Sequence, residues 1–317
     1  MKKSKKILEG IISDIVEYTR DDINLPGLNF CHYTSPESLE RILLRDRICL
    51  RFTRSDCLND ASEGIQIEHL FTLACKMLQD DDEISERYYE FLINVKTIAM
   101  QNYEKHLGNS VPLSVIKNYY INKVVYLCCF SYMEDSLPMW NYYVKSNRYR
   151  GYSISFSKEK LNQGVVQGGK KSRFVLASVI YDFSTFEEIS KKLILKYREI
   201  FEIDDNKYKA DVAYLFFCFL EHYKYIVKNR SFQHENEARI IARIDKDEAC
   251  DIHYDLSMGF PIPFILVDFE KEAFHHIIIG PLPEDKELTQ KNTEEFLAAC
   301  GYPSKSRVKN STIPIRY

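Results

Sequence analysis

The chain has 317 residues, of which 45% are hydrophobic and 28% charged; these fractions are close to those of soluble globular proteins and favour neither a disordered nor a membrane class. Its 43 basic and 46 acidic side chains leave a formal net charge of −3, so a strong nucleic-acid footprint, which needs a local basic excess, is not expected. The length suits one large domain or two small ones with a sizeable core.

Residues 1–28 open with Lys2, Lys3, Lys5 and Lys6, followed by Ile7, Leu8, Ile11, Ile12, Ile15 and Val16. Glu9 and Asp14 interrupt the apolar run and no small-residue cleavage site follows, so the spacing predicts an amphipathic helix and not a signal peptide. No later stretch reaches the roughly 20 apolar residues of a membrane helix. The nine cysteines are odd in number and lack a CxxC pair, which predicts reduced thiols, no zinc site and a cytoplasmic protein.

Asn29 to Thr34 reads as a strand, with Ser35 and Pro36 as cap and first residue of a helix that faces inward through Leu39, Ile42 and Leu43. Ile48 to Thr53 is a second strand, running into the turn-forming Asn59-Asp60. From Glu63 to about Asn122 the pattern is helical. Val124 to Ser131 is a β-former run read as a central strand buried on both faces. A helix bearing Met139, Trp140 and Tyr143 follows, then strands at Gly151 to Ser157 and Phe174 to Tyr181, with Gly164, Gly168 and Gly169 marking a turn-rich stretch between them. Two helices, Thr185 to Ile203 and Asn206 to Lys228, precede strands at Ala238 to Ile244, Phe264 to Val267 and His276 to Ile279. A helix over Glu294 to Ala299 and a strand near Thr312 to Tyr317 end the pass. The fold class is α+β, a mixed or mostly antiparallel sheet with large helical insertions at about 63–122 and 185–228. Neither GxGxxG nor GxxxxGK[ST] is present.

Polar residues concentrate in a few places: His32-Tyr33-Thr34 at a strand end, Asn59-Asp60 and Glu63 after the next strand, Phe130-Ser131 with Pro138-Met139-Trp140, and Glu235-Asn236-Glu237-Ala238-Arg239 leading into a strand. Each has a plain structural reading as well. Glu235 and Glu237 have the period of a strand edge and can pair with Arg239; Asn59-Asp60 can close a turn; Trp140 can be core or pocket wall. The ordered set HYTS, ND-x-x-E, CFS, P-M-W, RGYSISF, E-x-E-A-R and IIIGP resembles the bacterial DUF2971 family over residues 29–317, as a single domain following the N-terminal helix. Ala61 stands where that pattern usually has Pro, and His234 replaces an aromatic residue.

The layout of that family in turn resembles the ADP-ribosyltransferase group, in which an early strand ends in a His motif and a later one begins with Glu. The resemblance implies an NAD-consuming transferase of the kind used in bacterial phage defence or a toxin system, with Glu237 and Glu235 as catalytic carboxylates. It implies NAD or a related nucleotide as partner, held by His32, Tyr33, Thr34, Asn59, Asp60, Trp140 and Arg239, and an acceptor macromolecule. A carboxylate facing the ribose would stabilise the cation that develops as nicotinamide departs, and free N–H groups of the helix opening at Ser35 could meet the pyrophosphate. Phe52, Tyr126 and Tyr142 are alternatives for an aromatic stack on nicotinamide. Two further readings stay open: a sensing module that binds without turnover, and a nuclease whose Asp60, Glu63, Glu235 and Glu237 gather around Mg²⁺.

Overall fold

A computed structural model describes residues 9–10, 13–14, 29–58, 64, 66–103, 123–144, 146, 148–167, 173–203, 209–246, 251–257, 259–303 and 306–315. In chain order its elements are β1 (Asn29–Thr34), α1 (Pro36–Leu43), β2 (Ile48–Arg54), α2 (Gln66–Asp80), α3 (Glu86–Ile93), α4 (Val95–Tyr103), β3 (Lys123–Ser131), α5 (Leu137–Tyr143), β4 (Tyr152–Ser157), α6 (Lys158–Gln167), β5 (Arg173–Ser178), α7 (Phe183–Ile203), α8 (Lys209–Tyr223), β6 (Glu237–Asp245), β7 (His253–Asp255), β8 (Ile262–Phe269), β9 (Phe274–Ile279), α9 (Lys286–Ala299) and β10 (Val308–Asn310). The fold is α+β, and no helix among the described residues is long and apolar enough to cross a membrane.

The chain divides into two compact units, one of residues 1–21, 59–123 and 179–230, the other of 22–58, 124–178 and 231–317. In the first, α2, α3, α7 and α8 are joined by aromatic packing: the Phe201 ring lies 4.7 Å from Tyr88 and 4.8 Å from Phe91, and Phe71 meets Phe216 at 5.6 Å. The Tyr88 hydroxyl donates to the Ile194 carbonyl at 3.1 Å, satisfying its polar end inside the core. Asp14, buried, accepts from Lys196 Nζ at 2.5 Å and from the Tyr197 hydroxyl at 2.7 Å. It falls in the expected N-terminal helix; of that segment only Glu9, Gly10, Ser13 and Asp14 lie among the described residues, and they are helical.

The second unit carries a ten-stranded sheet in the order β10-β9-β4-β1-β3-β2-β8-β7, from which β6 and β5 branch at β3. Only the short β9–β10 pairing is described as parallel; β1, β3, β4, β2, β8, β7, β5 and β9 make antiparallel pairs. Because side chains alternate along a strand, Phe30, Ile154, Phe156, Ile277 and Ile279 share one apolar core with Leu39, Ile42 and Leu43 of α1. The opposite face sends Cys31, Tyr33 and Ile278 against Met139 and Trp140 of α5. The α1 start forms as its sequence indicates: Pro36 occupies the first turn and the Ser35 hydroxyl accepts from the Ser38 N–H at 3.3 Å.

Several boundaries differ from the sequence expectation. The stretch around Gly164 continues as helix α6, while Gly168 and Gly169 lie outside the described residues. β5 ends at Ser178, since Ile180 leaves the sheet to pair with Val227. α9 begins eight residues earlier than expected because the Asp285 carboxylate caps the Leu288 N–H at 3.0 Å. The last strand is Val308–Asn310. Residues 311–315 are not strand: the Ser311 hydroxyl and the Thr312 N–H and hydroxyl instead donate to the Asp135 carboxylate at 2.7, 2.8 and 3.0 Å.

Gly151 and Gly280 mark the closest backbone approach in the sheet. A Cβ on Gly151 would clash with Val144 Cγ1 and lie 2.7 Å from the Thr34 carbonyl oxygen; one on Gly280 would lie 2.5 Å from the Tyr149 carbonyl oxygen. Gly151→Ala should therefore destabilise the protein by about 1–3 kcal/mol, read as a lower denaturation midpoint in urea with an unchanged slope.

Across the sheet, Cys31 stands opposite Ser131 and Ser155, and Ser155 opposite His276, forming one buried polar row. Burial pulls the His276 imidazole down to about 4 against the opposing pull of Glu134, with Lys309, His275 and Arg307 adding to the depression. Since this is below the ordinary histidine value of about 6.5, the unfolded chain takes up the proton first. Stability from this group is complete above pH about 6.5 and drains away as pH falls to about 4. Denaturation midpoints measured across that interval should decline, and the decline should flatten in His276→Gln.

Candidate functional site

β1 and β3 are matched at one pair only, Cys31 opposite Ser131. Where the ladder stops, the His32 side chain takes up a backbone acceptor: its Nδ1 lies 3.1 Å from the Cys129 carbonyl oxygen. A carbonyl can only accept, so Nδ1 carries the proton and Nε2 the lone pair. Burial lowers the His32 pKa and the bond to Cys129 only partly restores it, so the ring is neutral at pH 7.

β6 brings the second half of the site. The 3₁₀ turn Arg230–Glu235 leads into it through Asn236, whose φ of 41° lies in the left-handed region that Asn tolerates better than most residues. The end of β3 fixes this junction: the Ser131 hydroxyl donates to the Glu235 carbonyl at 2.7 Å, and the Tyr132 N–H donates to the Asn236 carbonyl at 2.9 Å. Glu237, the first residue of β6, is buried and bound in a two-bond fork by Arg239, with Nε to Oε1 at 2.7 Å and Nη2 to Oε2 at 2.9 Å.

These parts converge on a cleft lined by Cys31, His32, Tyr33, Cys129, Phe130, Ser131, Met139, Tyr143, Glu235 and Glu237, with an internal volume of about 10 Å³. That is room for about one water molecule. Tyr143 is the outer wall, its side chain 41% exposed. Burial of its hydroxyl, then the adjacent Cys129, Glu237 and Glu235, hold its ionisation well above the ordinary tyrosine range. Burial also lifts the Cys31 thiol to about 12, and burial with the nearby Glu237 carboxylate raises Cys129 well above its usual value. Neither thiol has the depressed pKa of a nucleophile.

Of the residues singled out from the sequence, His32, Tyr33, Glu235 and Glu237 meet in this cleft. Arg239 stands behind Glu237 as its ion-pair partner. Trp140 is fully buried core, edge-on to Tyr33 at 4.7 Å, and donates Nε1–H to Asp135 at 2.7 Å. Thr34 is buried and does not line the cleft, and the Tyr33 hydroxyl is engaged in structure, donating to the Met133 carbonyl at 2.7 Å and accepting from the Ser136 N–H at 3.0 Å. Phe52 and Tyr126 are core residues; Tyr142 is 58% exposed and stacks on His234 at 5.2 Å. Asn59, Asp60 and Glu63 lie outside the described residues. No group of three potential metal ligands occurs among the described residues. Tyr143 and Cys129 were not among the site residues expected from the sequence, although Cys129 is the first residue of the CFS motif and Tyr143 lies one helical turn from Trp140.

Residues 139–240 match a family model described as a protein of unknown function, DUF2971. The DUF2971 match runs from Met139 in α5 to Ile240 in β6, so it includes Tyr143, Glu235, Glu237 and Arg239, whereas His32 precedes it. No curated protein and no solved structure matches the chain.

The Glu237–Arg239 pair sets an energetic test. Removing one member of a buried ion pair leaves the other charge uncompensated and costs about 3–5 kcal/mol, whereas replacing both by apolar residues of similar volume is often close to neutral. Glu237→Leu and Arg239→Met should each lower stability by about that amount, and the double variant should recover most of it; a double-mutant cycle from chemical denaturation measures the coupling.

Proposed function

We propose that this cleft is the reaction centre of an NAD-consuming protein of ADP-ribosyltransferase type. The observation that carries the reading is the convergence of His32 of β1 with Glu235, which ends the 3₁₀ turn, and Glu237, which begins β6, on one cleft. Two carboxylates reach the cleft beside a neutral His32, and one of them, Glu237, is held by the Arg239 guanidinium. Such a site favours the oxocarbenium-like ribose formed as the bond to nicotinamide breaks, because preorganised charge stabilises a developing ion at little reorganisation cost. Arg239 holds the Glu237 carboxylate in one orientation, and Glu235, half-buried at the same cleft, is the second carboxylate.

In the closed geometry the cleft is too small for a ribose, so the substrate sugar meets it from the Tyr143 side. There Met133, Leu137, Tyr142 and Tyr143 offer exposed apolar surface, and Tyr142 is the aromatic candidate able to stack on nicotinamide. The Ser35 hydroxyl already takes the Ser38 N–H, which leaves fewer amides of α1 for a pyrophosphate than its sequence suggests.

A binding module without turnover is the second reading, favoured by the fork between Glu237 and Arg239, which commits both carboxylate oxygens to a structural partner. NAD binding by calorimetry and nicotinamide release by the full chain separate the two. Glu237→Gln should reduce release by about 100–1000-fold, with a melting curve to register the weakened pair, and Glu235→Gln should act more mildly. NAD binding without any nicotinamide release selects the binding module; absence of NAD binding rejects both forms of the NAD reading.

A further inference from the structure

We propose that the acceptor of this reaction is water, held in the cleft by His32 Nε2, so that the protein hydrolyses the N-glycosidic bond and does not transfer the sugar to a macromolecule. This rests on the reading of the site as an NAD-consuming centre and adds to it the identity of the nucleophile.

Three features of the geometry lead to it. The cleft has room for about one water, and its lining includes groups that can order one: the neutral His32 imidazole, the Glu235 carboxylate and the Tyr143 phenol. The His32 tautomer is set by Nδ1 donating to the Cys129 carbonyl at 3.1 Å, which leaves Nε2 as a lone pair with no protein hydrogen-bond partner among the described residues. A ring locked in this way is a general base, the role that a backbone or carboxylate acceptor on Nδ1 supports in hydrolytic sites. The third feature is direction. The cleft is walled from outside by Tyr143, and the substrate approaches from that side, so a water behind the ribose attacks the face opposite the departing nicotinamide.

The step balances as follows. The bond between ribose C1′ and the pyridinium nitrogen breaks, and its electron pair leaves with neutral nicotinamide. Water oxygen bonds to C1′ and its proton passes to His32 Nε2, then to solvent. The products are nicotinamide, ADP-ribose and one proton. A protein acceptor would have to insert its nucleophile past Tyr143 into space already sized for water.

The test uses the full chain with NAD and no added acceptor. Free ADP-ribose should appear in a one-to-one ratio with nicotinamide, and His32→Ala should lower both by about 100-fold or more, the usual contribution of a general base. Added imidazole should restore part of the loss. His32→Asn, whose amide can still donate to the Cys129 carbonyl, keeps the fold as checked by melting and should be equally inactive. The wild-type rate should rise with pH through a value below 6.5, and this limb should vanish in His32→Asn. A crystal structure of the substrate-free protein should show a water within hydrogen-bonding distance of His32 Nε2. Nicotinamide released without matching ADP-ribose, with label attached to a macromolecule, overturns hydrolysis and preserves the NAD reading. ADP-ribose formation unaffected by His32→Asn overturns the role of His32. No turnover of NAD at all, despite the bound water, overturns the NAD reading itself.

Discussion

The cleft exists because β1 and β3 separate after a single matched pair. An open strand edge inside a folded unit leaves carbonyl and amide groups that must find partners, since an unpaired buried backbone group costs about as much as a lost hydrogen bond. Here the carbonyl of Cys129 is met by the His32 imidazole, and the groups beyond the end of β3 are met by Asn236 and by the Ser131 hydroxyl, which donates to Glu235 and accepts from the Met133 N–H at 3.1 Å. A side chain here stands in for a strand partner. It places a titratable ring, in a single tautomer, where a backbone amide would have been.

The same economy of partners ties the site to the rest of its unit. The loop between β3 and α5 is held by Tyr33, whose hydroxyl bridges Met133 and Ser136, and by Asp135, which accepts from Trp140, Ser311 and Thr312. Burial works against the Asp135 carboxylate, but these donors outweigh it and keep its pKa below the ordinary range. Trp140 and Tyr33 are therefore conduits of position: they orient α5, and α5 carries Tyr143 to the cleft. Trp140, offered by the sequence as a pocket residue, lies in the core and does not line the cleft, whereas Tyr33 does.

Elements with strong periodicity were legible. β1, α1, β3 and β4 follow from alternation or from a clear cap, and the buried character of β3 follows from its run of β-formers. The misread boundaries have local causes that periodicity does not register. Gly164 is accommodated inside α6, and α9 gains its first turns from one Asp285 bond. The segment after Asn310 has strand-like residues, but after the Ser311 N–H, which donates to the Ile279 carbonyl at 2.9 Å, its polar groups turn to Asp135. The site was legible in part. E-x-E-A-R identifies a strand start, yet the side-chain period of two that places Glu237 and Arg239 on one face serves a buried fork as readily as a catalytic carboxylate, and the geometry contains the fork. Tyr143 carries no motif, and Cys129, the first residue of CFS, reads as part of a buried strand; their place at the cleft becomes visible only when β3, α5 and β6 are brought together.

The fork also bears on how such a centre could work. A lone buried carboxylate would be expensive and would tend to take up a proton. Arg239 removes that penalty by offering two charge-assisted hydrogen bonds in a fixed plane. The two glutamates are held in different ways. The orientation of Glu237 is dictated by the guanidinium beside it, whereas Glu235, half-buried, is anchored through its backbone carbonyl to Ser131. The bonds from the Ser131 hydroxyl to the Glu235 carbonyl and from the Tyr132 N–H to the Asn236 carbonyl tie the turn that carries Glu235 to the end of β3, so both carboxylates take their place from backbone and ion-pair contacts formed within the unit.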